Sequence, residues 1–574
     1  MARFPTADER WPRAGEVIKD KMNIVTISRS HNCSLCILEN GDVKHHIENE
    51  RLSRIKYDNL AYDSIYKLPN YVDDIKEIGL TGMYVSPKTE DTTLPVYLDA
   101  ILRLPGYNKK TLLHEIFTDH HYHHACCSFY NSGFEKALCI NLDGLGSPVV
   151  LENDDKQVYY GREDTTAFVL EYPNKAELIH RNITYPLGIR QPKKTPENYT
   201  ITNSVSEARA FEILATHFGY HGLDAGKVMG MASYGKERKG LPEIYINGKI
   251  NTSLFRVEEN FNNAYLNVED YPTLKNNDFQ TRADFAHKLQ SEAQLRIFKY
   301  IDNKIKETGV KNVCLSGGFF LNCVANNFIR KNLPKDVNLY VEPLSSDSGT
   351  AMGIAKAIWH GKQKDKTIRK QKSIYYGFKY DYTLKDLDGW YDYIKCDEKD
   401  VVKEILNQKV VGLYQGQSEQ GPRALGNRSI LFDPRNKDGK DIVNKVKNRE
   451  WYRPFACSIL EEYFSEYFDT LGLSKSEFMT MAFDVKSDKI PGVVHVDNSC
   501  RVQTVSKSIP HFYQLLKKFY EKTGVPVLLN TSFNLAGEAL IDSPTDAINT
   551  YENSDIDVIW FPETETMLCK EGEK

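Results

Sequence analysis

Four of the chain's fifteen histidines fall within five residues, in the run Asp119-His120-His121-Tyr122-His123-His124. On a helix, His120 and His124 stand four apart and point the same way, about 6 Å from one another. Two imidazoles so placed can share one metal ion. No Glu follows the first His, so this is not the metalloprotease pattern, and the plainer reading is a polar helix face. Asp143-Gly144 closes an apolar strand, where a carboxylate either holds a cation or makes an ordinary turn. Asp347, in Ser346-Asp347-Ser348-Gly349-Thr350, opens a helix of small residues as a ligand or as an N-cap. The density of histidines tips the balance toward a metal. Two His and two Asp give a mixed nitrogen and oxygen site suited to iron, manganese or zinc.

Other residues read as seats for phosphate. Ser316-Gly317-Gly318, followed by Leu321-Asn322, places glycines between a strand and a helix, where an anion can approach backbone N–H groups. Gly226-Lys227-Val228-Met229-Gly230 sets a lysine between glycines in the same spirit. Between Gly421 and Pro454 stand nine Lys/Arg (423, 428, 435, 437, 440, 445, 447, 449 and 453) and four acids (433, 438, 441 and 450), a local balance of +5 in a chain of net charge -4. The arginines of GPRALGNRSI and REWYRPFA sit among Gly, Pro and aromatic residues. That setting favours forks that grip an anion over a solvated basic face.

These groups need an α/β scaffold. The strand Asn23–Ser28, the turn at residues 39–42, the strand ending at Asp143 and the strand–turn–helix of 313–331 alternate with amphipathic stretches at 205–218 and 281–308. A chain of 574 residues, 41% hydrophobic and 26% charged, exceeds one compact core, so two or more domains are expected. The Lys-rich stretch 361–373 reads as an exposed linker, with a boundary near 375. Residues 1–21 read as an extension outside the fold. No apolar run is long enough to cross a membrane, and the start lacks a secretory core. Eleven scattered cysteines suit reduced thiols in a cytoplasmic protein, with Cys33 and Cys36 neither bridged nor holding zinc.

Taken in order, HHYHHA, NLDGLG, GKVMGMASYG, SGGFFLNCVAN, DSGTAMG, EQGPRALGNRSILFDPR, VKNREWYRPFA, HVDNSCRVQTV and VPVLLNTSFNLAGE resemble the O-carbamoyltransferases of the nodulation-factor and antibiotic-tailoring type. That resemblance implies a carbamoyl-transfer domain over 22–374, of the actin/sugar-kinase/Hsp70 (ribonuclease H-like) class. It implies a second α/β domain over 375–574, like threonylcarbamoyl-AMP synthase. The second would make carbamoyladenylate from carbamoyl phosphate and ATP, with magnesium. The first would pass the carbamoyl group to an acceptor hydroxyl. The family's metal ligands fall on His120, His124, Asp143 and Asp347, and its catalytic His on His31. Its anion-binding positions fall on Arg423, Arg428, Lys447, Arg449, Arg453 and Arg501, and its nucleotide-side turn on Asn530, Ser532 and Asn534. Arg449 and Arg453 would act in adenylate formation. Two departures stand out: Asn32 replaces the Asp expected after the His, and Gln417 replaces an Arg.

The acceptor is a small-molecule hydroxyl: a sugar, a natural-product alcohol, or a hydroxymethylated nucleotide or nucleobase. A homodimer is left open. Two other readings remain at this point: an enzyme of tRNA threonylcarbamoyladenosine formation, and a non-catalytic nucleotide-binding regulator on the same scaffold.

Overall fold

The computed structural model describes residues 22–82, 111–115, 119–152, 158–185, 196–258, 263–382 and 392–570. The extension expected at 1–21 lies outside the described residues. Two compact units emerge. The first takes Met1–Asn49 and Asp58–Lys372, and the second Glu50–Tyr57 and Ser373–Lys574.

In the first unit, β1 (Asn23–Arg29), β2 (Ser34–Glu39), β3 (Asp42–Glu48), β4 (Glu77–Gly82) and β5 (Leu112–Glu115) form one sheet in the order β3-β2-β1-β4-β5. β1 runs antiparallel to β2 and parallel to β4. The second sheet is built from β6 (Lys136–Leu142), β7 (Pro148–Glu152), β8 (Val158–Glu171), β9 (Lys175–Thr184) and β10 (Tyr199–Thr202). Two small hairpins follow, β11 (Tyr245–Ile246) with β12 (Lys249–Ile250) and β13 (Phe255–Val257) with β14 (Ala264–Leu266). Then β15 (Asn312–Ser316) and β16 (Asn338–Val341) complete the second sheet in the order β10-β9-β8-β6-β15-β16, with β7 on β8. β6 is antiparallel to β8 and parallel to β15. Within this sheet β9-β8-β6-β15-β16 repeats the order and directions of the first. The result is the doubled ribonuclease H-like pattern of the actin/sugar-kinase/Hsp70 class.

Between the sheets lie two helices, α1 (His120–Ser132) and α6 (Ser348–Gln363). The others used below are α2 (Glu207–His217), α3 (Ala225–Ala232), α4 (Phe279–Thr308) and α5 (Cys323–Asn332). Every residue of α1 is buried, histidines included. α6 packs on α1 and on β1 and β2. The approach is close because Gly349 and Gly353 present no side chain: a Cβ at Gly353 would strike the His123 carbonyl oxygen. This crossing sets the N-terminus of α6 beside the first turn of α1.

The Lys-rich stretch is only partly a free linker. α6 runs on to Gln363, and the Gln371 amide donates to the Asn131 carbonyl at 2.9 Å. The eleven cysteines are free, and burial raises the Cys33 and Cys36 thiols, Cys36 to about 12.

The second unit is a mixed α/β fold. Its strands are β17 (Asp392–Lys395), β18 (Val411–Tyr414), β19 (Arg428–Phe432), β20 (Ala456–Leu460), β21 (Ala482–Asp484), β22 (Ser499–Val505), β23 (Val527–Ser532), β24 (Val558–Phe561) and β25 (Thr566–Cys569). They pair in the order β17-β25-β24-β18-β19-β23-β20-β22-β21. Helix α7 (Gly439–Val446) leads into the arginine-rich loop. The strap Glu50–Tyr57 belongs to this unit by its contacts, although its sequence position suggests the first. Its buried Arg51 donates to the Gly421 carbonyl at 2.6 Å, and Arg54 to those of Leu540 and Ala539 at 2.6 and 2.8 Å.

Candidate functional site

His120 and His124 occupy the first turns of α1, Asp143 follows β6, and Asp347 is the N-cap of α6. The two His Nε2 atoms lie 3.2 Å apart. Asp143 Oδ2 is 3.6 and 3.4 Å from His120 and His124, and Asp347 Oδ1 is 3.4 and 3.6 Å from them. These separations are mostly too long for good hydrogen bonds. They match the edge of a tetrahedron of ligands each about 2.1 Å from a common ion, which is about 3.4 Å. All four ligand atoms lie within 4.8 Å of one another and all four residues are buried. Asp143 Oδ2 is buried without a hydrogen-bond partner, and Asp347 Oδ2 has the His31 ring nitrogen beside it.

The charges point the same way. Burial would raise both aspartates, but the imidazoles outweigh it: Asp143 is held down at about 2 and Asp347 well below the carboxylate range. Burial would lower His120, yet Asp347 and Asp143 drive it up to about 10. The cluster therefore seeks positive charge, and a divalent cation answers that better than protons do. Around it, Ser316 Oγ is 3.3 Å from His124 Nδ1 and the His120 amide donates to Ser147 Oγ at 2.9 Å. Such outer contacts fix a ligand ring's orientation.

His31 lies two residues beyond β1, with Nδ1 3.1 Å from Asp347 Oδ2. Burial opposes its charge, but Asp347 and then Asp143 raise it to about 9. Gly317 has φ +97° and presses on the Leu142 backbone, while Gly318 abuts Asp143 Oδ1. Of the two, Gly318 borders a residue of the cluster. Asn322 caps α5 by accepting from the Ala325 amide at 3.0 Å, and it exchanges hydrogen bonds with Gln290. Lys227 sits on α3 and pairs with Asp224 at 3.1 Å.

Sequence reasoning missed three neighbours here. Ser206 caps α2 and donates to the Asp143 carbonyl at 2.8 Å. Glu163 accepts from the His121 and Ser147 amides at 3.1 and 3.2 Å. Glu212, paired with Arg209 at 2.6 Å, packs on Gly144. Only Ser206 left a signal, as the cap of SVSEARA.

In the second unit, Lys447, Arg449, Arg453 and Arg501 crowd together. Burial and the neighbouring arginines push Lys447 and Arg449 well below their usual ranges. Lys447 Nζ bonds to the Asn534 carbonyl at 2.6 Å and to the Ser532 carbonyl, tying the loop before it to the turn after β23. Arg449 donates to Asn444 Oδ1 at 2.5 Å and to the Pro454 carbonyl at 2.8 Å. Arg453 meets Glu450 at 3.4 Å. Arg501, on β22, keeps a buried Nε with no partner. Such a cluster of like charges is what a polyanion would relieve. Arg423 lies half-buried in the GPRALG loop.

Two positions that the resemblance implies, Arg428 for an anion and Asn530 for the nucleotide-side turn, are buried and already bonded within the protein. Arg428 is fully buried over the Tyr414 ring, and its guanidinium donates to the carbonyls of Gln415, Gly416, Asn427 and Asp542. All five N–H groups are engaged, so Arg428 braces the loop and has none left for an anion. Asn530 is likewise buried, donating to Ser458 Oγ at 2.8 Å. A residue not foreseen is Glu419, whose buried Oε1 accepts from the amides of Leu425, Asn427 and Arg428 at 2.5, 3.3 and 3.3 Å and so shapes the loop.

The family description "Carbamoyltransferase N-terminus" matches residues 90–356, and "Carbamoyltransferase C-terminus" matches 402–567. The nodulation protein NolNO of Sinorhizobium fredii is 30% identical over 92% of this chain and 77% of its own length. The nodulation protein NolO of Bradyrhizobium diazoefficiens is 30% identical over 76% of this chain and 77% of its own. Among solved structures, that of HypF from T. kodakarensis aligns at 16% identity with a TM-score of 0.38, over 61% of this chain and 50% of its own. The chain belongs to the carbamoyltransferase family, and it is an enzyme of carbamoyl transfer.

Proposed function

We propose that the protein is an ATP-dependent O-carbamoyltransferase whose two units divide the work. The observation that carries this is the crowding of Lys447, Arg449, Arg453 and Arg501, four cations of which, among the described residues, only Arg453 has an ion-pair partner, in Glu450, while Arg501 keeps a buried Nε without a hydrogen bond; a polyanion would relieve it. There carbamoyl phosphate would be hydrolysed to carbamate and phosphate. A carbamate oxygen would then attack the α-phosphorus of ATP, expelling pyrophosphate and leaving carbamoyladenylate. The cationic forks would hold the oxygens in line and offset the repulsion between two polyanions.

In the first unit the acceptor hydroxyl would attack the carbamoyl carbon, and AMP would leave. Asp347 holds the His31 Nδ1 proton, which directs Nε2 toward the hydroxyl proton as general base. Asp347 would hold His31 protonated less strongly once its charge is shared with the ligand set, which would free the ring for that role. His120, His124, Asp143 and Asp347 would hold a divalent metal, iron first, with manganese and zinc as alternatives; its chemistry is Lewis-acid stabilisation of charge on the adenylate. The glycines 317 and 318 leave room for backbone donors beside it.

The test is pyrophosphate release from ATP and carbamoyl phosphate without acceptor. Release supports the proposal. No release with any divalent metal would overturn the ATP-dependent route, and release only with bicarbonate plus threonine would favour the tRNA-modifying chemistry.

A further inference from the structure

Strand β8 breaks its own alternation where it passes the metal cluster. Thr166 Oγ1 is 3.2 Å from His121 Nδ1, and the Phe168 ring lies 5.9 Å from that of Tyr122, so the even-numbered residues of the strand face α1. Period-two alternation would give the next place on that face to Asp164. The register with β9 slips between Glu163 and Thr165, and the slip exchanges the two acids. Asp164 turns to the opposite face, accepting from Asn182 Nδ2 at 2.8 and 3.0 Å and from Thr184 Oγ1 at 2.5 Å. Glu163, whose partner on β9 is Ile183, takes the place against α1. A bulge re-aims a side chain in this way. Here it delivers a carboxylate to the side of the sheet on which the histidines lie.

The carboxylate is fully buried and sits where two elements meet. Its Oε1 accepts from the His121 amide, in the first turn of α1, at 3.1 Å and from the Ser147 amide at 3.2 Å. Ser147 Oγ in turn accepts from the His120 amide at 2.9 Å. The first N–H groups of a helix have no partners within it, and Asp119, the N-cap of α1, gives no side-chain cap. Glu163 and Ser147 supply the caps from another part of the chain. The backbone of Glu163 also holds the loop that leaves β6. The Gly146 amide donates to the Glu163 carbonyl at 2.6 Å, and the Glu163 amide to the Ser147 carbonyl at 3.2 Å. That loop begins at Asp143. The fit has no slack, since a Cβ on Gly146 would lie 2.5 Å from Glu163 Cγ and 2.8 Å from the His121 ring. On its other side, Glu163 Oε2 is 3.3 Å from Nε of the buried Arg181 on β9, so the carboxylate is held from both ends.

One buried side chain thus ties the start of α1, which carries His120 and leads to His124, to the loop that begins at Asp143. Three of the four converging ligand atoms belong to those two elements. We infer that Glu163, backed by Arg181, is a positioning residue for the metal site, setting the distance between the two histidines and Asp143. Its bonds go to backbone amides and not to a ligand ring, so it acts through the elements that carry the ligands. A charged acceptor suits the task, because one ionised oxygen can hold two amides firmly. Contacts of this outer kind govern how well a ligand set fits its ion. The inference rests on the metal reading given above.

The experiment is titration of the full chain with cobalt(II), whose visible absorption reports coordination geometry, alongside thermal unfolding of the same samples. Glu163→Ala should weaken cobalt binding about 10- to 100-fold and change the absorption of the ion that still binds. Ser147→Ala removes only the hydroxyl at the His120 amide. It should weaken binding about ten-fold, and it decides the matter if Glu163→Ala does not fold. Glu163→Gln keeps an oxygen for the two amides and should return affinity to within about ten-fold of the parent. Asp164→Asn is the control, a buried acid one residue away on the opposite face. Whatever its melting temperature, it should keep the parent's affinity and spectrum. Two results would overturn the inference: Glu163→Ala and Ser147→Ala proteins that bind cobalt as the parent does, or an Asp164→Asn protein that loses as much affinity as Glu163→Ala. A parent protein that binds no cobalt would overturn the metal reading and this inference with it, so the parent alone tells the two failures apart.

Discussion

The two charged clusters are built in opposite ways. In the first unit, four buried ligand atoms converge on one point, carried by helix turns and a strand end. In the second, four cations are strung along the end of a helix, a loop and a strand, repelling one another and steadied by carbonyls and Asn444. A cation needs fixed distances, so its ligands come from rigid elements. A polyanion has many oxygens and changes shape during reaction, so forks on a loop serve it better. The contrast predicts that damage to one cluster leaves the other working.

The largest expected effect follows directly. Arg449→Ala should cut pyrophosphate release by about 100-fold or more, because one charge-assisted fork is worth a few kcal/mol. Its bound metal, read by elemental analysis, should be unchanged. His120→Ala is the mirror: it should lose the metal and acceptor carbamoylation while still releasing pyrophosphate. If His120→Ala stops both reactions, the division of labour is wrong.

The next effect separates two arginines that look alike in sequence. Arg428→Ala leaves four carbonyls short of donors and should cost about 3 kcal/mol or more of stability. Arg449→Ala removes a charge from a repulsive cluster, so its melting temperature should hold or rise. Denaturation of both variants decides this, and equal losses would erase the distinction between brace and binder.

A smaller effect probes the helix crossing. Gly353→Ala forces a methyl against the His123 carbonyl and should cost about 1–3 kcal/mol as α6 shifts away from α1. Metal affinity should fall with it, because Asp347 rides on α6. Unchanged metal affinity in a destabilised Gly353→Ala would mean that the crossing does not position the ligand.

The smallest concerns acid. Burial pushes His360 down to about 4, although Asp365 partly supports its charge. Its ring stacks on Tyr130 at 4.3 Å, and Nδ1 donates to the Asp365 carbonyl at 2.7 Å. An unfolded His takes a proton near 6.5, so between 6.5 and 4 the unfolded state binds more protons. Stability present above 6.5 is lost as pH falls, by about 1 kcal/mol for this group at pH 5.5. His360→Phe should flatten that part of the stability–pH curve, and an unchanged slope would assign the acid sensitivity elsewhere.

The metal cluster was legible because each half of it is local. Helix periodicity aligned His120 with His124, and strand-end and helix-start patterns offered Asp143 and Asp347. The helices at 205–218 and 281–308 are found at Glu207–His217 and Phe279–Thr308, for the same reason. The arginines were a different matter. Residue type says that an arginine can grip an anion, but only burial and partners reveal that Arg428 is already engaged. The strap Glu50–Tyr57 left no pattern, since its partners are distant in sequence, and Glu419 left none because the irregular loop it shapes has no periodicity to read. Composition could not show that Tyr300 and His180, 120 residues apart, touch.

The repeated sheet order has a bearing on heredity. β1 and β6 hold the same place in the two copies, and each ends in a polar turn, the one leading to His31 and the other to Asp143. A doubled ancestor supplies that turn twice, and once there are two, each copy can drift without cost to the other. The proposed proton acceptor and a cation ligand are then siblings, and a site that treats its two sides unequally needs no element beyond those that duplication provides.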